Sequence, residues 1–345
     1  MRIPPIVLLI FFIFFVISFL TNILGPLIPD IIQSFDLSLG LAGFLPFAFF
    51  VAYAVGSIPS GILVEKYGEK RMMLVAFLLA FLGALYFGIN PVFGAALFSL
   101  FLIGIGMAIL QVVINPLLRT AGGDVNFAFF SVMGQLFFGA ASFVSPMLYS
   151  YLVSNVHSGG EAGGIIALFN SLVTPDLKWV SLYWVFAVIA LLMVLLVSFV
   201  NFPKVELKED ERIDTGKAFD VLLKNRYVWL YFLGIFCYVG TEQGVANWVS
   251  QFLQEYHGAD PATTGATVVS WFWGLLTVGC LLGMLLLKLW DSRRVLLLFT
   301  AGAIICLLAG LFGPINVALI AFPLVGFFAS VMLSVIVSLA LKSVA

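Results

Sequence analysis

Gly61-Ile62-Leu63-Val64-Glu65-Lys66-Tyr67-Gly68-Glu69-Lys70-Arg71 separates two apolar runs, each long enough to cross a membrane. Gly56 and Gly61 lack the Cβ that would hold neighbouring helices apart, so two helices are expected to approach closely there. Glu65 is placed to accept hydrogen bonds from a helix N-terminus, and Lys66, Lys70 and Arg71 to rest against anionic headgroups. The plainer reading is a basic connection between two spans, of the kind that accumulates on the cytoplasmic side.

Outward from this loop, apolar stretches of about 20 residues, the length that crosses a hydrocarbon core of roughly 30 Å, recur along the whole chain. They number ten: 5–33, 41–64, 71–89, 92–117, 127–153, 179–201, 227–255, 263–288, 294–313 and 315–341. The first follows Arg2 but runs on through Asn22, Pro26 and Pro29 with no small-residue cleavage site, so it is read as a retained span and not a secretory signal. With both termini on the cytoplasmic side, fifteen of the sixteen Lys and Arg residues fall on that side, and only Lys178 falls outside. A missed or invented span would scatter them, so the same count supports the number of helices and their orientation.

Composition agrees. Of the 345 residues, 63% are hydrophobic and 10% charged, with a mean hydropathy of +1.17; a soluble domain carries about 25% charged residues. A membrane is therefore the expected site. A net charge of −1 leaves no basic face for nucleic acid. Cys237, Cys280 and Cys306 lie within apolar runs and read as packing residues, so no metal site or cofactor is expected. The chain shows no GxxxxGK[ST] loop, HExxH, GxSxG in a strand–turn–helix setting or paired CxxC. Direct use of ATP and enzymatic chemistry are therefore not expected, and His157 and His257 are read as solvated. What remains is movement of a solute down a gradient.

The charged stretch 202–226 divides the chain into a six-span half, 1–201, and a four-span remainder, 227–345. Residues 218–229 have helical apolar spacing suited to a membrane surface. The outward loop at 154–178, with Gly159, Gly160, Gly163 and Gly164, reads as a flexible connector.

Polar residues inside spans are expensive, so each is a candidate for function. Glu242 is the one carboxylate placed well inside a span. An ionised acid at mid-bilayer costs about 2.5–3.5 kcal/mol on insertion scales, and no Lys or Arg is available within the membrane to pair with it. It must meet water, a solute hydroxyl, a cation or its own proton; as a neutral carboxyl it would bond to a neighbouring carbonyl. Gln243, Asn247 and Gln251 form an i, i+4, i+8 row beside it. Gln111 and Asn115 share a face of span four; they suit vicinal sugar hydroxyls, or serve as glue between helices. Asn22 precedes Pro26 and Pro29, where freed carbonyls could hold a solute or cation, or mark a kink. Asp30 reads as an entrance residue. Trp248, Trp271 and Trp273 offer faces for a pyranose ring.

The Gly61–Arg71 spacing resembles the gating loop of the major facilitator superfamily, in which Asp usually stands where this chain has Glu65. A degenerate echo follows span eight at Gly283, Lys288, Asp291, Arg293 and Arg294, where an internal repeat would put it. Within that superfamily the chain resembles the fucose permease branch, sugar symporters that include bacterial glucose/galactose carriers. Asn22, Gln111-Val-Val-Ile-Asn115-Pro116, and Phe236-Cys237-Tyr238-Val239-Gly240 with Glu242 and Trp248 carry the likeness. It implies an all-α fold, and gating roles for Gly61, Glu65, Gly68, Lys70 and Arg71. In the fucose permease after which the branch is named, carboxylates of spans one and four are associated with proton coupling; the resemblance puts Gly25 and Gln111 at those positions here. Span five lacks the branch's Gln-x-x-Asn, although Gln135 lies close by. The branch has twelve spans, so the expectation is a fragment lacking the last two.

Together these readings give an all-α polytopic transporter, expected to act as a monomer. It would move a small solute, a monosaccharide by resemblance, by alternating access. Asn22, Gln111, Asn115, Gln135, Gln243, Asn247 and Trp248 are the candidate contacts, and Glu242 the candidate coupling site for proton or sodium. A carrier fold that has lost transport and serves as a solute sensor or scaffold is the alternative.

Overall fold

The computed structural model describes residues 3–123, 126–159, 163–203, 205 and 225–344. Among these, nine helical segments are long and apolar enough to cross a membrane. They match nine of the ten expected spans. The tenth, span seven, is a continuous helix Arg226–His257 of 32 residues, whose Glu242, Gln243, Asn247 and Gln251 dilute its apolar character. Side chains such as Phe199, Phe312, Leu289 and Ile58 stand exposed on the outside of the bundle, where lipid replaces water as solvent.

Span one is two helices, Pro5–Thr21 and Leu24–Phe35. The joint falls at Asn22 and Ile23 because Pro26, four residues on, has no N–H to offer the Asn22 carbonyl and its ring crowds that oxygen. Spans two to four are Phe44–Tyr67, Glu69–Ile89 and Phe93–Gly122; spans five and six are Phe127–Asn155 and Ser181–Phe199. Spans eight and nine are Ala266–Leu289 and Ser292–Phe312. Span ten is again broken, into Ile315–Ala329 and Met332–Val344.

The largest apolar cluster is built from spans one and three to six, with Phe49 and Leu45 of span two. A second joins Ala246, Val249 and Leu253 of span seven to Phe272 of span eight and Phe322 and Val325 of span ten. Where helices cross closely the contact residue is small: a Cβ on Gly104 of span four would come within 2.6 Å of the Phe49 carbonyl oxygen in span two.

The two clusters meet along two seams. Span five packs on span eight through Gly139 against Thr277 and Phe143 against Trp271 and Gly274; the second helix of span one packs on span seven through Gly25 against Ala246. Both seams run from mid-span toward the end of the bundle where span one finishes, here called the far end. There Tyr149 Oη donates to Asp30 Oδ2 at 2.5 Å, and Trp179 Nε1 donates to Ser34 Oγ at 3.0 Å.

The loop that opened the sequence reading turns at Gly68, whose φ of +85° places it in the region that favours glycine. Lys70 reaches the carbonyl of Ser198 at 2.8 Å, a cation at the end of span six where the helix dipole favours one. Glu65 and Arg71 are exposed. The connector at 154–178 is more ordered than its glycines suggest, with a helix Gly164–Leu172 and a 3-10 turn Pro175–Val180. His157, expected to be solvated, ties it down instead: its backbone N–H donates to Asn170 Oδ1 at 2.9 Å, and its Nε2 lies 2.8 Å from the Val173 carbonyl. The expected surface helix at 218–229 lies outside the described residues up to 224, and Trp229 belongs to span seven.

Candidate functional site

The break in span one opens a cavity of about 350 Å³ between the two clusters, within the roughly 300–1,000 Å³ usual for small-molecule sites. Its walls are mostly apolar, with Leu24 and Leu27 of span one, Ile103 and Met107 of span four, and Val239 of span seven. Aromatic faces come from Phe49, Phe50, Tyr53, Phe138, Tyr183 and Phe186. Four amides break this surface: Asn22 from span one, Gln111 from span four, and Gln243 and Asn247 from span seven. Among the described residues, no Asp, Glu, Lys or Arg lines it.

Hydrogen bonds hold three of these amides in place. Asn22 occupies the joint of span one, with its N–H still bonded to the Ser18 carbonyl at 3.0 Å. Its Nδ2 donates to Ser142 Oγ of span five at 2.8 Å and to Ser18 Oγ at 3.3 Å. On span seven, Asn247 Nδ2 donates to Gln243 Oε1 at 3.4 Å, and Gln243 Nε2 donates to Glu242 Oε1 at 3.0 Å.

Glu242 stands just behind the cavity wall, one hydrogen bond from Gln243. Its other oxygen accepts a short hydrogen bond from the Tyr238 hydroxyl one turn earlier. The partners that the sequence reading sought in water, solute or ion are thus supplied first by its own helix, because i and i+4 side chains lie over one another. The thiol of Cys280 in span eight donates to the Ser330 carbonyl at 3.3 Å, at the break in span ten.

The structure brings together Asn22, Gln111, Gln243, Asn247 and, behind them, Glu242. It places Asn115 and Gln135 elsewhere, both exposed and neither on the cavity wall. Asn115 shares a face with Gln111 but sits one turn further along span four. Trp248 packs into the larger apolar cluster, Trp273 is buried, and Trp271 lies edge-on to Phe143; none of the three lines the cavity. The aromatic walls come from spans two, five and six. Sequence reasoning missed Ser18 and Ser142. Ser18 carried a signal, standing four residues before Asn22; Ser142, 120 residues away, carried none.

The glucose/galactose transporter of Brucella abortus (strain 9-941) is 28% identical over 332 residues, 95% of this chain and 78% of that protein. The L-fucose-proton symporter of Escherichia coli (strain K12) is 26% identical over 347 residues, 96% of this chain and 78% of that one. Among solved structures, the E. coli fucose:proton symporter matches with a TM-score of 0.66 at 23% identity, over 99% of this chain and 85% of that one. An inward-facing bacterial homolog of the human lysosomal transporter Spinster matches with 0.77 at 16%, over 98% and 78%. The profile of the Major Facilitator Superfamily matches residues 10–345. A profile match over all but the first nine residues, on a helical bundle that closes around a central cavity, places the chain in the Major Facilitator Superfamily.

Proposed function

We propose that this protein is a secondary active sugar transporter, a proton-coupled symporter for a neutral monosaccharide of the glucose, galactose or fucose type. The observation that carries the reading is the cavity itself: four amides from three spans, no lining charge, and one carboxylate a single hydrogen bond behind them. Amides donate to and accept from vicinal hydroxyls, and the aromatic walls suit the apolar face of a sugar ring. The names of the relatives supply the substrate class, and the symporter among them supplies the proton.

In this reading, the halves 1–201 and 227–345 act as two bodies joined by the 202–226 linker, which rock about the cavity so that access alternates. The Lys and Arg distribution puts both termini in the cytoplasm, hence the far end outside. The present arrangement, with seams from mid-span to the far end, is then the one shut to the outside. The contact set is Asn22, Gln111, Gln243 and Asn247. Asn115 and Gln135 stand exposed and Trp248 in the core, apart from it. Glu242 is the coupling group, and Gly61, Glu65, Gly68, Lys70 and Arg71 form the gating loop. The protein works as a monomer in a bacterial inner membrane.

The test is uptake of labelled D-glucose, D-galactose and L-fucose into proteoliposomes under an imposed proton gradient, an imposed sodium gradient, or neither. Accumulation of one sugar driven by the proton gradient supports the reading. Accumulation only with sodium would replace the ion; binding without exchange of labelled for unlabelled sugar would replace the transporter by a sensor.

A further inference from the structure

We infer that the far-end closure is built to reopen: each of its two seams buries a polar group without a hydrogen-bond partner, Gln251 where span seven meets span one and Ser270 where span eight meets span five. The closed arrangement carries the cost of both groups, and an open one does not. This rests on the rocking of the two halves proposed above and names two residues that set its balance.

Gln251 stands one turn beyond Asn247 on span seven. Asn247 lies beside span one, where a Cβ on Gly25 would come within 3.3 Å of the Asn247 Cα, and Trp248 packs into the larger apolar cluster. Helical spacing sets Gln251 between these two directions, facing the first six spans. It is 7% exposed. Its Nε2 donates to Glu255 Oε2 at 3.5 Å, near the limit for such a bond, while its Oε1 has no partner among the described residues. Turning the amide over would set its oxygen against the Glu255 carboxylate.

Ser270 stands four residues before Gly274 and seven before Thr277, the positions of span eight that meet Phe143 and Gly139 of span five. It therefore shares their face. Ser270 is completely buried, and its hydroxyl also has no partner among the described residues. A hydroxyl inside a helix can return its hydrogen to the carbonyl four residues earlier, as Thr277 does to Trp273 at 2.9 Å. Ser270 makes no such bond.

A buried polar group left without a partner carries its full desolvation penalty. When the seams part, both groups face a wet vestibule and the penalty disappears. Close packing of Gly25 on Ala246 and of Gly139 on Thr277 pulls the seams shut, and Gln251 and Ser270 oppose it. Closure then depends on what a solute adds at the four amides, which ties the motion to occupancy.

The probe is Ile28→Cys, at a completely buried position three residues beyond Gly25, in a chain whose Cys237, Cys280 and Cys306 are replaced by alanine. Its rate of reaction with a maleimide in detergent follows the open fraction where that fraction is small. The distance between spin labels at the exposed positions Gln33 and Tyr256 reads the same fraction where it is large. Gln251→Leu should lower the ratio of open to closed molecules about tenfold and Ser270→Ala about fivefold. Together they should lower it by the product, because they act on separate seams. Gln251→Met decides the matter if the leucine variant fails to fold. Ser99→Ala removes an equally buried, unpartnered hydroxyl within the first six spans, away from both seams, and should leave the ratio unchanged. Equal labelling and distances in wild type, Gln251→Leu and Ser270→Ala overturn the inference alone, as does an equal effect of Ser99→Ala. If Ile28→Cys stays unreactive and the distance constant in every variant, Gly25→Ala included, the rocking of the halves is overturned and this inference with it.

Discussion

Gly25 of span one lies directly against Ala246 of span seven, so close that a Cβ at Gly25 would run into the Ala246 carbonyl oxygen. The far-end seam thus occupies the space that any side chain at this position would need. Gly25→Ala is therefore expected to disfavour this arrangement by about 1–3 kcal/mol, with roughly a tenfold change in population for each 1.4 kcal/mol. Spin labels at the exposed positions Gln33 and Tyr256, on the far ends of spans one and seven, should report a longer distance in the variant. An unchanged distance distribution would mean that the seam tolerates a methyl group.

Tyr149 and Asp30 hold the same end from within the first six spans. Tyr149 is fully buried, and its hydroxyl donates to an Asp30 oxygen at 2.5 Å. Hydrogen bonds to carboxylates are worth about 1.5–3 kcal/mol, and a partner left behind in a buried site pays for its lost solvation. Tyr149→Phe should lower the melting temperature in detergent by several degrees, while Asp30→Asn, which keeps an acceptor for the phenol, should lower it less. An unchanged melting temperature in Tyr149→Phe would show that only the volume of the ring matters.

A different seam gives a packing test away from the cavity. In span ten, a Cβ on Gly326 would collide with the Phe272 carbonyl of span eight, and backbone cannot swing aside as a side chain end can. Gly326→Ala should reduce stability and yield of folded protein, yet leave KM for the transported sugar unchanged in the molecules that fold. A raised KM at normal stability would mean that span ten shapes the site directly.

Most of the bundle is legible in the sequence because the bilayer imposes a simple rule: about 20 apolar residues per crossing. Span seven is the instructive exception. Its amide row dilutes its apolar character, yet the run 227–255 still reads as a span, and the sidedness of Lys and Arg agrees with it. The same row marks half of the site, since Gln243 and Asn247 are one turn apart on a helix. The other half is set by tertiary contact. Asn22 meets Ser142 only when spans one and five pack, and a serine among small residues of span five looks like any other. Asn115 failed to join Gln111 at the cavity because a shared helix face still separates residues by one turn, about 5.4 Å along the axis.

Glu242 gives the sharpest test of mechanism. Its two oxygens take hydrogen bonds from Tyr238 and Gln243, so the group is well held without any cation in the cavity wall. Gln243 also touches Asn247, which makes a three-residue line from the cavity to the acid. Loss of a proton from Glu242 and loss of solute from the amides can therefore influence each other through Gln243, as coupling requires. Glu242→Gln keeps the shape and an acceptor for Tyr238 but cannot gain or lose a proton at physiological pH. Exchange of labelled for unlabelled sugar should persist in this variant, while the proton gradient should no longer drive accumulation above equilibrium. Gln243→Leu, which cuts the line but spares the acid, should weaken both sugar affinity and coupling. Full gradient-driven accumulation by Glu242→Gln would remove this carboxyl from the transport cycle and turn the search toward another titratable group.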